Sequence, residues 1–206
     1  MNRAIILLLV LSMVGGCVAP RDRIGESVDV DWLDRRDLLR SLDDWRMEGR
    51  IALKTGRDGY NGTLSWEQLE DALDFRFRGP FGFGGFRIHG DLERLRVKTT
   101  GGDEFYLNDP EIEMRERFGW SVPVHSMRFW IVGVSDPAIE GDEVVDEDGY
   151  LLELEQGGWD VSYDGYRSHE GFDLPRKIVM VNGDVQIKVV ADRWRLEPPE
   201  LDEDLL

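Results

Sequence analysis

Hydrophobic and polar positions change their period several times along this chain. Residues 4–14 are apolar except for Ser12 and follow a single positive charge at Arg3, the pattern of a signal-peptide hydrophobic region. These 11 residues would rise about 16 Å as a helix, too little for a hydrocarbon core of about 30 Å. Residues 18–30 carry scattered charges with one Gly and one Pro and read as a tether. Between 32 and 45, Trp32, Leu38, Leu39, Leu42 and Trp45 recur at helical spacing, which predicts one amphipathic helix ending before Gly49. The period then becomes two. Tyr60, Gly62, Leu64 and Trp66 alternate with Asn61, Thr63 and Ser65. Leu73, Phe75 and Phe77 alternate with Asp74 and Arg76, and Trp159, Val161 and Tyr163 with Asp160 and Ser162. Residues 178–181 and 185–190 flank Asn182-Gly183, a hairpin signal.

One-sided alternation predicts antiparallel strands with one apolar face, and nine or more in succession predict one strongly curved sheet or barrel. Two short helices interrupt them. Asp109-Pro110 forms an N-cap and first-turn pair for a helix over 111–118 stopped at Gly119, and a second helix is expected over 126–132. Residues 133–149 read as an acidic loop, and 198–206 as an acidic tail after Pro198. The expected organisation is a signal peptide over 1–16, a tether over 17–30, one domain over 31–197 and the tail over 198–206.

The 42 acidic and 25 basic residues give a net charge of −17. This argues against nucleic acid as a partner, because phosphate contacts need clustered cations. It also argues against electrostatic docking on anionic lipid, leaving membrane attachment hydrophobic. The lone cysteine, Cys17, excludes a disulfide framework and a thiolate metal site. Gly15-Gly16-Cys17 resembles a bacterial lipobox, in which the thiol is diacylglycerol-linked and becomes the mature N-terminus. Val18 stands where Asp would mark inner-membrane retention in enterobacteria, so the resemblance implies an outer-membrane lipoprotein of a Gram-negative bacterium, facing the periplasm.

Further segments resemble the LolB family of lipoprotein localisation factors. They are Trp45-Arg46-Met47-Glu48-Gly49-Arg50-Ile51-Ala52, Asn61-Gly62-Thr63-Leu64-Ser65-Trp66 and Gly79-Pro80-Phe81-Gly82. Farther on come Asn108-Asp109-Pro110, Phe118-Gly119-Trp120-Ser121-Val122-Pro123-Val124 and Arg128-Phe129-Trp130-Ile131-Val132-Gly133. Leu174-Pro175, Asn182-Gly183-Asp184 and Asp192-Arg193-Trp194 close the series. The resemblance implies a mainly β fold: a half-open antiparallel barrel of about eleven strands, plugged by short helices and holding an apolar cavity for acyl chains. The function implied is that of a monomeric receptor that takes acylated lipoproteins from the periplasmic carrier LolA and inserts them into the inner leaflet of the outer membrane.

For the acyl-chain cavity the candidates are Trp66, Phe75, Phe77, Phe86, Trp120, Trp130 and Trp159, rigid rings that present much area at little entropic cost. The same residues suit a filled core. The segment 79–85 places Phe81 and Phe83 among four glycines and a proline, where turn chemistry favours polar residues. In the family, a hydrophobic residue at this tip places cargo into the bilayer; Phe81 holds the matching position, and Phe83 is its neighbour. Arg128 reads either as a structural ion pair or as a carrier contact. No cofactor, metal or catalytic residue is expected: His89, His125 and His169 lie apart, assigned to a strand and two loops, and no P-loop occurs. The alternatives are an envelope lipoprotein binding a free lipid or fatty acid, and a lipid or glycan hydrolase.

Overall fold

A computed structural model describes residues 30–56, 58–82, 84–91 and 93–196. The expected signal peptide, Cys17, the tether up to residue 29, Phe83 and the acidic tail lie outside the described residues. After helix α1 (Val30–Arg40) the chain runs through β1 (Asp44–Thr55), β2 (Asp58–Leu69), β3 (Ala72–Arg78), β4 (Gly85–Gly90), β5 (Leu95–Thr99) and β6 (Glu104–Leu107). Helices α2 (Pro110–Phe118) and α3 (Val124–Val132) follow. The chain then forms β7 (Gly141–Val145), β8 (Leu151–Gln156), β9 (Trp159–His169), β10 (Phe172–Asn182) and β11 (Val185–Leu196). All eleven strands join one antiparallel sheet in the order β6-β5-β4-β3-β2-β1-β11-β10-β9-β8-β7, so β6 and β7 are free edges and the barrel is unclosed.

The helix expected over 32–45 stops at Arg40. Trp45 belongs to β1, where Trp45, Met47 and Gly49 alternate inward. Trp45 satisfies both periods, three residues after Leu42 and two before Met47, so its spacing alone could not assign it. Leu38, counted on the apolar face, is 50% exposed, whereas Trp32 and Leu39 are buried. Nor does Gly49 terminate a helix. It sits at a register shift between β1 and β11, where a Cβ would come within 2.2 Å of the Val190 carbonyl oxygen.

Residues 133–149 are not all loop, since β7 forms there as a charged edge strand. Its Asp142 and Glu143 hide the strand from hydropathy while suiting an edge that must not pair further. The second short helix begins two residues earlier than expected and places His125 in α3 instead of a loop. In α2, Asp109 caps as expected, its Oδ1 accepting from the Ile112 amide at 3.2 Å, and Gly119 ends the helix at φ 76°.

Apolar side chains form two clusters. The larger gathers α1 and α3 onto β1, β2 and β8–β11, with Trp32, Met47, Trp130, Leu154, Ile178 and Met180 at its heart. The smaller comprises Leu73, Leu95, Val97, Leu107 and Met114, between β3–β6 and α2. Phe75 and Val122 touch both.

Candidate functional site

Strand register builds the inner face of the smaller half. Trp66 pairs with Phe75, Phe75 with Ile88, Ile88 with Val97 and Val97 with Phe105, so one inward row crosses β2 to β6. A second row joins Leu64, Phe77 and Phe86. Rings touch in sequence along this face. Trp66 meets Phe75 edge-on at 5.7 Å, Phe75 stacks with Phe86 at 6.0 Å, and Phe86 meets Phe77 at 5.3 Å. The track leads from the larger core, where Trp66 packs on Trp45 at 5.3 Å, toward the β3–β4 turn.

Where the two clusters meet there is a cavity of 110 Å³. The sheet contributes Ile51, Trp66, Phe75, Phe86, Leu95 and Ile187 among others; Met114, Trp120, Val122 and Met127 cover it from the helical side. No lining side chain is charged. A cavity of about 150 Å³ with such walls stays dry and admits benzene, so this one has room for a few methylenes, not a whole acyl chain.

Of the expected cavity aromatics, Trp66, Phe75, Phe86 and Trp120 lie on this wall. Phe77 stands beside it, against Phe86. Trp130 and Trp159 are elsewhere, 1% and 5% exposed in the larger core and in contact with each other. The indole Nε1 of Trp130 donates to Gln156 Oε1 at 2.8 Å; Gln156 also receives the Asp136 amide and donates to the Asp136 and Ile139 carbonyls. Ser126 donates to Asp136 Oδ2 at 2.7 Å within the same buried network. This network pins α3. Sequence reasoning missed it because Gln156 and Asp136 look like surface residues until the fold buries them. Other lining residues, Leu95, Leu107, Met114 and Met127, carried only a general apolar signal.

Arg128 donates to Asp71 Oδ1 at 2.7 Å and to the Glu70 carbonyl at 3.0 Å, tying α3 to the β2–β3 turn as a structural ion pair.

The β3–β4 turn covers Pro80–Gly82. The Gly79 amide donates to the Gly84 carbonyl at 2.8 Å and closes its base. Phe81 is 98% exposed and lies at φ 58°, ψ 15°. A bulky L-residue in this left-handed region costs about 1–2 kcal/mol. Here the cost is borne without any burial in return. Phe83 lies outside the described residues.

On the outer face, burial raises the Asp74 carboxyl, but hydrogen bonds and charge from Arg87 and Arg76 outweigh it and hold it below its ordinary range. Among the described residues no group of three or more His, Cys, Asp or Glu is placed to hold a metal ion, and no helix is long and apolar enough to cross a membrane.

Known proteins share this architecture. A solved domain provisionally described as an outer membrane lipoprotein-sorting protein from Vibrio parahaemolyticus superposes with TM-score 0.50 at 10% identity, covering 84% of this chain and 94% of its own. A DUF1329 family protein from Desulfovibrio piger superposes at 0.52 with 8% identity, covering 82% and 92%. These likenesses concern the fold alone. By sequence, the outer-membrane lipoprotein LolB of Stutzerimonas stutzeri is 31% identical over 186 residues, 89% of this chain and 90% of that protein. That of Nitrosococcus oceani is 30% identical over 197 residues, 94% and 98% of the two chains. The family profile described as outer membrane lipoprotein LolB matches residues 43–194. With most of the chain matched in this way, the protein belongs to the LolB family of outer-membrane lipoproteins.

Proposed function

We propose that this protein is a lipid-anchored receptor that accepts acylated lipoproteins from a LolA-type periplasmic carrier and inserts them into the inner leaflet of the outer membrane. Family membership supports the broader role in outer-membrane lipoprotein localisation. The observation that carries the finer reading is the apolar cavity at the seam of the two cores, walled by Trp66, Phe75, Phe86 and Trp120. Each methylene moved out of water is worth about 0.8 kcal/mol, and this wall offers such contact without polar groups that would need partners.

At 110 Å³ the cavity must widen to take a chain. The smaller cluster is the side that gives way. Among the described side chains of α2, Met114 is the buried hydrophobic one, whereas six residues of α3 are buried and two of them belong to the Gln156–Asp136 network. Release would then occur at the turn, where Phe81 dips into the bilayer. Cys17 would hold the protein there by its acyl chains, leaving the domain on the periplasmic side as a monomer without cofactor.

The test is transfer of an acylated protein from purified carrier to this protein, followed by delivery to vesicles. Capture and delivery are expected. A protein that binds free fatty acid or phospholipid but no acylated protein would sink the receptor reading, and release of a hydrolysed product would replace it with an enzyme.

A further inference from the structure

The net charge of −17 conceals a local reversal of sign. Residues 72–99, which form β3 to β5 and their turns, hold six cations (Arg76, Arg78, Arg87, Arg94, Arg96, Lys98) and three acids (Asp74, Asp91, Glu93). Because Phe75, Phe77, Phe86 and Val97 face inward, the alternating positions Arg76, Arg78, Arg87 and Lys98 share the outer face, and all four are exposed. Register brings them together: Arg76 pairs with Arg87, and Arg87 with Lys98, in one row across three strands. Arg78 pairs with Gly85 in the first row beyond the Phe81 turn.

Neighbouring strands show what balanced charge looks like here. Around β1 and β11, Arg46 meets Glu67, Arg50 meets Asp192 and Arg193 meets Glu48, one cation to one acid. On β3–β5, Arg76 and Arg87 share the single carboxylate of Asp74. Among the described residues, Arg78 and Lys98 have no ion-pair partner. Positive charge is therefore left over on this part of the sheet, next to the turn.

We infer that the outer face of β3–β5 is a docking surface for the anionic phospholipid headgroups of the bilayer that Phe81 enters. The inference rests on the proposed role of Phe81 and adds to it which lipid surface is recognised. Spacing fits this occupant. The Arg76–Arg87–Lys98 row lies two residues behind the Arg78–Gly85 row, about 7 Å at strand rise. The headgroup zone on each side of the hydrocarbon is about 5–8 Å deep. With the Phe81 ring at the acyl boundary, the Arg78–Gly85 row sits at headgroup depth, and the Arg76–Arg87–Lys98 row stands about 7 Å farther out, within the roughly 8–10 Å over which headgroup charge still acts. Whole-chain charge missed this because opposite signs were averaged over surfaces that never face the same partner.

The experiment uses the full chain carrying Cys17→Ser, so that lipid modification does not dominate, and measures sedimentation with phosphatidylcholine vesicles with or without phosphatidylglycerol. Comparing this preference between parent and variant chains cancels the contribution of the leader, whose Arg3 and apolar run both carry. A preference for anionic vesicles is expected, lost at about 1 M salt, where the screening length falls to about 3 Å. Arg78→Gln/Lys98→Gln removes two exposed cations without breaking an ion pair, and is expected to cut that preference by about 25-fold, fivefold per cation. Arg78→Lys/Lys98→Arg restores it. Absence of preference in the parent chain, or a preference unchanged in the Gln variant, overturns the proposal. Phe81→Glu separates the two readings: it is expected to weaken binding to both vesicle types, and unchanged binding there rejects the turn while leaving the cation result to stand alone.

Discussion

Phe81→Gly alters two quantities in opposite directions. The folded state is relieved of a left-handed conformation at φ 58°, worth about 1–2 kcal/mol for an L-residue. Glycine loses about 0.5–1 kcal/mol more entropy on folding. The ring is 98% exposed, so no packing is sacrificed. Net stability is therefore expected to rise by about 0–1.5 kcal/mol, the difference between these terms. Membrane contact loses a Phe side chain, worth about 1.5–3 kcal/mol when fully buried, which is about ten- to a hundredfold in affinity. Urea unfolding reads the first quantity, and delivery of acylated cargo to vesicles reads the second. A loss of more than about 1 kcal/mol in stability would mean that the ring packs against the protein, contradicting the strain reasoning. Delivery at the original rate would mean that the exposed ring serves no membrane step. A more stable but delivery-impaired variant is the expected signature of a residue retained for function at the expense of folding.

Three further outcomes follow from the geometry. Gly49→Ala would place a Cβ 2.2 Å from the Val190 carbonyl oxygen and force β1 away from β11, so denaturant titration should show a loss of about 1–3 kcal/mol. Phe86→Asp puts a carboxylate on the cavity wall from a half-buried position. Cargo capture should fall roughly ten- to a hundredfold from the desolvation of an unpaired polar group, while the circular dichroism spectrum stays unchanged. Asp74 has its folded-state pKa depressed below the unfolded value. Its contribution is thus present above the ordinary carboxylate range and is lost as pH falls through the depressed value. Asp74→Asn should flatten the acid limb of stability against pH; an unaltered limb would show that its arginine pairs contribute nothing to folding.

Local chemistry was decisive wherever a pattern satisfied a single period. Strict alternation named β2, β3 and β9, with the inward residues of β3 and β9 and of β2 from Leu64 on, while Tyr60 of β2 is 54% exposed; Asp109-Pro110 with Gly119 bounded α2 closely, because caps and pleats are set by neighbours in the chain. The turn around Phe81 was conspicuous for the same reason, an apolar residue where glycine and proline had already made the bend. Spacing failed at Trp45, which fits both periods, and at β7, whose acids suit an edge but mask a strand. It also could not divide the aromatics. Trp66 and Trp130 look alike in the sequence, yet one lines the cavity and the other is locked to Gln156 in the packed core.

The sequence by itself determined the kind of element at most positions, the inward face of strands such as β3 and β9, and the apolar turn, since these depend on periodicity and on residues a few places apart. Only the tertiary structure decided where the sheet leaves space, which helix is pinned by buried hydrogen bonds, and how cations from three strands converge beside Phe81. Those properties arise from contacts between residues distant in the chain, which are fixed by strand order and register when the two cores close against each other.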